Sequence, residues 1–249
     1  MKNIITTATL LAAGTLVGNA EVTIWTDAPT TASGSKVASW DVTNSGLTWA
    51  TSNGESVVFT VNYQTLSTSN SYALFSMKDV TYNGLAAVAI KDGNLIFENW
   101  NDSSPTATTS FSGISATKDL TFVISRPTAP ATKTLDAIML KVYADGNFDS
   151  AVATLTGKTN LYFSTSWTQL NFGGSTVAYT SPVNNVIPAN DKAAEFGLLG
   201  AGYTVGTQVT TDELKKYYAS VVPEPSSFGL LAGLGALALA GARRRRSRK

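Results

Sequence analysis

The chain has 249 residues, of which 43% are hydrophobic and 14% are charged, and it contains neither cysteine nor histidine. The lack of cysteine excludes disulfide bonds, thiolate metal sites and cysteine nucleophiles. The lack of histidine excludes Ser-His-Asp triads, histidine-ligated zinc and imidazole proton shuttles. Without a signal-like start and a hydrophobic tail, about 200 residues remain, enough for one domain with a substantial core.

The charge is distributed unevenly along the chain. The 18 Lys and Arg and 17 Asp and Glu give a net charge of +1, but residues 21–222 hold 11 basic and 16 acidic residues and carry −5. This segment has a single arginine, Arg126, whereas six of the last seven residues are Arg or Lys. Because binding to phosphates needs clustered basic residues, we expect no nucleic-acid partner.

The first 20 residues have the pattern of a secretory signal peptide. Lys2 supplies a positive start, residues 4–17 form a mostly apolar run, and Ala20 ends a small-x-Ala cleavage site. The run is too short for a membrane span. We therefore predict export by the Sec machinery and cleavage by signal peptidase after Ala20, so that the mature chain begins at Glu21. The alternative is a buried N-terminal helix.

The following residues alternate between apolar and polar side chains, which is typical of β-strands. Two Asp-Gly pairs, Asp92-Gly93 and Asp145-Gly146, predict tight turns because both turn residues must adopt positive φ. Turn signals recur every 8–15 residues or so, and the pattern as a whole predicts an antiparallel sandwich. The predicted strands lie around residues 57–63, 72–77, 85–91, 94–100, 120–124, 138–142, 161–163, 170–172 and 196–199.

One helix is predicted at the end of this region. Thr210 and Glu213 have the spacing of a capping box. Leu214, Tyr217 and Tyr218 would form its apolar face. We expect this helix to seal the edge of the sandwich.

The order of strands, turns and helix resembles the concanavalin A-like/laminin-G-like jelly roll over residues 45–220. The matching stretches are residues 73–76, 88–95, 140–147 and 170–174, together with the helix at 210–218. Residues 21–44 would then supply the first strand and a pairing edge. The resemblance implies a carbohydrate-binding or adhesive domain, or a glycoside hydrolase.

The C-terminal end combines three features in a fixed order. Pro223, Glu224 and Pro225 come first, and the two prolines hold the backbone extended. An uncharged, Ala- and Gly-rich segment follows at residues 226–242, near the lower length limit for a membrane-spanning helix. The basic cluster at 243–249 should stay in the cytoplasm and place the body outside.

This arrangement resembles the PEP-CTERM sorting signal of Gram-negative-type bacteria. The resemblance implies recognition of Pro223, Glu224 and Pro225 by an exosortase, a membrane protease or transpeptidase that removes the tail. It also implies an exported protein with a transient inner-membrane anchor, which then reaches the outer surface or a biofilm matrix. The alternative is an ordinary tail-anchored protein.

The sequence offers little for catalysis. The Glu-x-Asp-x-x-Glu strand that resembles the catalytic strand of retaining glycosidases is absent, since Glu98 has no second Glu at strand spacing. Residues 145–149 look like the start of a calcium loop, but Ser150 and Thr156 stand where an EF-hand needs Gly and Glu. A hairpin turn is the preferred interpretation. We expect no catalytic residue, no enzyme activity, no metal and no cofactor.

Two tryptophans are candidates for stacking on a sugar. Trp100 lies among amides and carboxylates at a hairpin end, and Trp167 lies among Ser, Thr and Gln. The alternative for each is a tryptophan in the core or on a sheet face.

The sequence thus predicts a signal peptide at 1–20, a β-sandwich at 21–220 and a sorting signal at 221–249. The predicted function is an exported, exosortase-processed surface or matrix protein with a structural or adhesive body. The alternative is a carbohydrate-binding module for exopolysaccharide or host glycan.

Overall fold

The computed structural model describes residues 21–26, 28, 39–42, 54–66, 71–79, 85–98, 107–126, 138–157, 167–173 and 196–222. Within these ranges the chain forms two six-stranded antiparallel sheets and one α-helix. The predicted strand at 161–163, the proposed signal peptide and everything after Val222 lie outside the described residues. The all-β class with one short C-terminal helix is confirmed.

The first sheet is named the helix-bearing sheet. Its strands, in spatial order, are β1 (Thr23–Ile24), β12 (Gly197–Gly206), β3 (Gly54–Asn62), β8 (Asp119–Arg126), β9 (Met139–Ala144) and β10 (Ala153–Thr156). The other is named the second sheet. Its strands are β2 (Ser39–Val42), β11 (Trp167–Gly173), β4 (Tyr72–Asp79), β5 (Leu85–Lys91), β6 (Asn94–Glu98) and β7 (Ala107–Ser110).

Early and late parts of the chain pair in both sheets. β1 pairs with β12 and β2 pairs with β11, so the first two strands form an edge of each sheet. This confirms that residues 21–44 supply the first strand and a pairing edge. The short strands β7 and β10 were not predicted, because four residues without clear alternation give a weak strand signal.

Aromatic side chains from both sheets meet in the core. The ring of Phe59 on β3 lies 4.9 Å from that of Phe122 on β8 and 5.6 Å from that of Phe75 on β4. Phe172 on β11 approaches Phe59 edge-on, at 5.4 Å between ring centroids. Each fully buried side chain of this size contributes about 1.5–3 kcal/mol to folding, so this cluster holds the two sheets together.

Both Asp-Gly turns are confirmed. Asp92 and Gly93 have φ of 50° and 76°, and Asp145 and Gly146 have φ of 52° and 73°. The first pair joins β5 directly to β6, while the second follows β9 and begins a longer connection to β10.

The predicted helix is confirmed as α1 (Thr211–Val221), with Thr210 as its N-cap. The Thr210 amide donates to Glu213 Oε2 at 2.7 Å, and the Glu213 amide donates to Thr210 Oγ1 at 3.3 Å. Such caps contribute about 1 kcal/mol. Among the described residues, no helix combines the length and apolar character that a membrane crossing requires.

The expected position of the helix was wrong. It packs across the outer face of the helix-bearing sheet, against Val58 on β3 and Val123 on β8, and not along an edge. The reason is that each of these two central strands places a valine on its outer face as well as apolar side chains in the core. Every residue of β3 except Asn62 is buried, so its outer side chains need a cover.

Candidate functional site

The sequence-predicted site residues lie mostly outside the described ranges. This holds for Ala20, for Trp100 and for the three residues Pro223, Glu224 and Pro225. The backbone of Trp167 starts β11 opposite Asp79, beside an irregularity in the strand pairing. The side chain of Trp167 is outside the described part of the chain.

The structure does describe helix α1, which directly precedes these three residues in the sequence. Helix α1 ends at Val221, and Val222 leaves the helical conformation with φ −116° and ψ 87°. The residue before a proline is disfavoured in helical geometry, so Pro223 ends the helix here. The Val222 amide still donates to the Tyr218 carbonyl at 2.8 Å. The described part of the chain therefore extends to the residue before Pro223.

Tyr217 anchors this helix to the sheet. Its side chain is 2% exposed and packs in one cluster with Leu214, Val58 and Val123. Its hydroxyl donates to the Gly200 carbonyl on β12 at 2.7 Å. Burial raises the pKa of Tyr217 far above its ordinary value of 10.0, so the hydroxyl stays a neutral hydrogen-bond donor.

A glycine on β12 lets the end of the helix approach the sheet. A Cβ atom added to Gly200 would lie 2.4 Å from Val221 Cγ1 and 2.5 Å from Val221 Cβ. Real side chains do not tolerate such distances, so any larger residue here would displace the helix end. The close approach fixes the position of the helix end on the sheet.

A second tyrosine connects the helix to a buried carboxylate. Tyr218 donates its hydroxyl to Asp119 Oδ2 at 2.8 Å. Asp119 is 1% exposed, and burial raises its pKa despite the hydrogen bond from Tyr218. Burial likewise raises the pKa of Tyr218 above its ordinary range. This contact joins the last turn of α1 to the start of β8.

Asp145 holds the segment in front of β8. Its carboxylate accepts hydrogen bonds from the amides of Thr117, Lys118 and Asp119 at 2.7–3.2 Å, and from the Thr117 hydroxyl at 2.9 Å. Burial works to raise the pKa of Asp145, but these hydrogen bonds together outweigh it and lower the pKa. The carboxylate is thus a structural acceptor in the turn.

Two other side-chain oxygen atoms of the calcium-loop candidate have protein partners as well. Asn147 Oδ1 accepts from the Asp149 amide at 3.1 Å, and Asp149 pairs with Lys215 on α1 at 3.2 Å. Over the described ranges, no group of three or more acidic residues could hold a metal ion.

The outer face of the second sheet has a different character. Strand register places Asn171 opposite Ser76, Ser76 opposite Ala87, and Ala87 opposite Glu98, so these four residues form one row across β11, β4, β5 and β6. All four are at most 4% exposed. We name them the polar row. Sequence reasoning missed this row, because local alternation does not reveal which residues of separate strands lie side by side.

The sequence comparison decides the identity of the C-terminal end. The PEP-CTERM protein-sorting motif matches residues 221–246. The chain carries a PEP-CTERM sorting motif. The match begins at Val221, the last residue of α1, so the sorting motif follows directly on this helix in the sequence. A search of curated protein sequences gives no match.

Several solved structures are similar in fold to this chain. A receptor binding domain has 16% identity and a TM-score of 0.45, covering 81% of this chain and 45% of that one. The binding domain of botulinum neurotoxin DC in complex with rat synaptotagmin II has 15% identity and a TM-score of 0.46, covering 82% and 46%. The Ruminococcus gnavus IT-sialidase CBM40 has 15% identity and a TM-score of 0.41, covering 79% and 96%. The chain thus spans less than half of the first two.

Proposed function

We propose that this protein is exported, that an exosortase processes it at the sorting motif, and that its β-sandwich is a structural or adhesive unit of the cell surface or extracellular matrix. The observation that carries the proposal is the sorting motif at residues 221–246. The signal-peptide pattern ending at Ala20 supports the same route. The segment 226–242 would be the transient membrane helix, with the basic residues after it in the cytoplasm.

The docked helix gives this proposal a geometric basis. Val222 is the last residue whose conformation the structure describes, and Glu224 follows it by two residues. An extended chain advances at most about 3.6 Å per residue, so Glu224 lies within about 8 Å of the end of the body. An exosortase would therefore meet its recognition residues next to a rigid support, with the prolines keeping Glu224 in a strand-like form.

The body is proposed to be a concanavalin A-like jelly roll without catalytic function. Its two six-stranded sheets, each with early and late strands as neighbours, support this fold. The partners proposed for the whole protein are the Sec machinery, signal peptidase, an exosortase and the surrounding matrix. The proposed location is the outer surface or matrix of a Gram-negative-type bacterium.

The sorting proposal is tested by intact mass in a native host. The parent protein should be recovered as a chain from Glu21 to near Pro223, alone or with an added group. Glu224→Ala should remain in the membrane and retain residues 243–249, whereas the control Ser227→Ala should be processed like the parent. Normal tail removal in Glu224→Ala would refute the proposal.

The second candidate function is carbohydrate binding. It is supported by two tryptophans that stand in the sequence among amide, hydroxyl and carboxylate side chains, since an aromatic ring can stack on a sugar while polar neighbours bind its hydroxyl groups. Trp167 at the start of β11 and Trp100 are the proposed stacking residues. Binding to the host exopolysaccharide should fall at least tenfold in Trp167→Ala and be kept in Trp167→Phe. Equal binding by all three proteins would exclude Trp167 from the site.

A further inference from the structure

A cavity of about 320 Å³ lies between the first described residues and the terminal helix. Its walls include Glu21 and Val22 on one side, and Glu213, Lys216 and Tyr217 of α1 on the other. Val22 is 7% exposed and packs in the same apolar cluster as Tyr217. The first residues of the proposed mature chain thus pack against the helix that precedes Pro223.

Glu213, one of the lining residues, has a carboxylate with one unsatisfied oxygen. Glu213 is 3% exposed. Its Oε2 closes the capping box with the Thr210 amide. Its Oε1 is buried without a hydrogen-bond partner among the described residues. Leaving a charged acceptor buried and unpaired is costly, so a donor is expected at this place.

The charged residues that line the cavity have a negative net charge. Two carboxylates, Glu21 and Glu213, and one ammonium group, Lys216, give the cavity lining a net charge of −1. Glu21 and Lys216 are exposed, whereas Glu213 is buried. A positively charged donor at this place would pair with the buried Glu213 carboxylate and also neutralise the lining.

We propose that this donor is the α-ammonium group of Glu21, which signal-peptide cleavage after Ala20 would create. Before cleavage, the nitrogen of Glu21 belongs to a neutral peptide bond. After cleavage it gains a positive charge in the cavity that Glu213 also lines, and brings the net charge of the lining to zero. The new N-terminus thereby fastens β1 to α1. This inference rests on the proposed export route, since it needs Glu21 as the first residue.

The position of the nitrogen is restricted by the strand that follows it. Thr23 pairs with Tyr203 in the sheet, and the Trp25 amide donates to the Ala201 carbonyl at 3.0 Å. Consecutive Cα atoms are about 3.8 Å apart, so Glu21 lies only two such steps from a paired strand residue. The ammonium group therefore stays at the cavity wall without a large loss of chain entropy.

The test uses the chain 21–249, purified in detergent with Glu21 as its first residue. The comparison is the same chain acetylated at its α-amino group, which reproduces the neutral amide present before cleavage. Glu213→Gln is made in both, because Gln keeps the capping-box acceptor but removes the charge. Asp212→Asn, an exposed neighbour in the same helix turn, is the matched control. The measurement is the folding equilibrium constant from denaturant titration.

We expect the effect of Glu213→Gln to differ between the two chains. It should lower the folding constant at least tenfold when the α-amino group is free. It should leave the constant unchanged or raise it in the acetylated chain, where the Glu213 charge has no partner. Asp212→Asn should act equally in both. Equal effects of Glu213→Gln in the two chains would overturn the inference.

A second measurement does not depend on the variant folding. NMR titration of the α-amino nitrogen should give a pKa above the usual value of about 8. The stabilisation of the fold by the ammonium group is then present at lower pH and is lost as pH rises through the raised pKa. The other titratable groups that line the cavity are Glu21, Glu213, Lys216 and Tyr217. An ordinary pKa would overturn the inference.

The result is separable from the sorting proposal. The Glu21 start is produced directly, so both measurements are independent of whether Glu224 directs processing. N-terminal sequencing of the native protein that finds a first residue other than Glu21 would also overturn the inference, even if Glu224→Ala blocks tail removal.

Discussion

The two sheets differ in the chemistry of their outer faces. The helix-bearing sheet presents Val58 and Val123, and α1 covers them with Leu214 and Tyr217. The second sheet presents the polar row, in which the small residue Ala87 lies between Ser76 and Glu98. Central residues of both outer faces are buried to a similar degree. On the first face the valine pair lies between two hydroxyl pairs, Ser56–Ser125 and Thr60–Thr121, whereas the second face carries an amide and a carboxylate.

This difference concerns how each face is stabilised. The valine pair under α1 gains stability from the apolar area that Leu214 and Tyr217 cover, so this face supports the helix that precedes Pro223. A buried amide or carboxylate gains little from burial itself and depends on hydrogen bonds to its polar atoms. Apolar packing therefore stabilises the centre of the first face, and polar interactions of Ser76, Glu98 and Asn171 stabilise the second.

The largest expected effect comes from removing the helix anchor. Tyr217→Ala empties a fully buried site and should destabilise the protein by about 3–5 kcal/mol in denaturant titration. Tyr217→Phe keeps the ring and loses only the hydroxyl with its hydrogen bonds, among them the one to the Gly200 carbonyl, so it should cost about 1–2 kcal/mol. If both variants lost the same small amount, the helix would contribute little to the stability of the body.

The second sheet should resist added volume. Ala87 is 0% exposed, so Ala87→Leu should cost about 1–3 kcal/mol or more through overpacking. Thr108→Leu on β7 is the matched control, because Thr108 is exposed, and it should change thermal stability little. An unchanged melting temperature in Ala87→Leu would show that the outer face of this sheet has free space.

A smaller effect is expected for Asp145, the hydrogen-bond acceptor in the second Asp-Gly turn. Asp145→Asn keeps the turn, because Asn tolerates positive φ, but weakens the hydrogen bonds from Thr117, Lys118 and Asp119. We expect a loss of about 1–2 kcal/mol at pH 7, reduced by solvent screening.

This loss should depend on pH in a defined direction. The folded protein lowers the pKa of Asp145 below 3.8. Its contribution is therefore fully present above that value and disappears as pH falls through the lowered pKa. Parent and Asp145→Asn should converge in stability in strong acid. A difference that stayed constant down to that range would contradict a role for the charge.

The smallest effect is expected for the ion pair on the helix surface. Lys215 and Asp149 are separated by 3.2 Å, with side chains 52% and 78% exposed. Lys215→Ala should change stability by less than about 0.5 kcal/mol, and added salt should remove the difference. A double-mutant cycle with Asp149→Ala measures the pair itself, and a coupling above about 1 kcal/mol would contradict this expectation.

The sequence determined the local elements of this protein. Period-2 alternation predicted the long strands, Asp92-Gly93 and Asp145-Gly146 predicted the turns, and the Thr210–Glu213 spacing predicted the helix cap. The order of Pro223-Glu224-Pro225, an apolar segment and a basic end predicted the sorting motif. Each of these signals is carried by residues close together in the chain, so they can be recognised without knowing the fold.

Only the tertiary structure decided how these elements meet. It placed α1 across a sheet face, aligned Asn171, Ser76, Ala87 and Glu98 in one row, and brought Glu21 to the same cavity as Glu213. These contacts join residues far apart in sequence, and they follow from strand order, register and the packing of one layer on another. No local pattern encodes those quantities, because many arrangements of the same strands satisfy the same alternation.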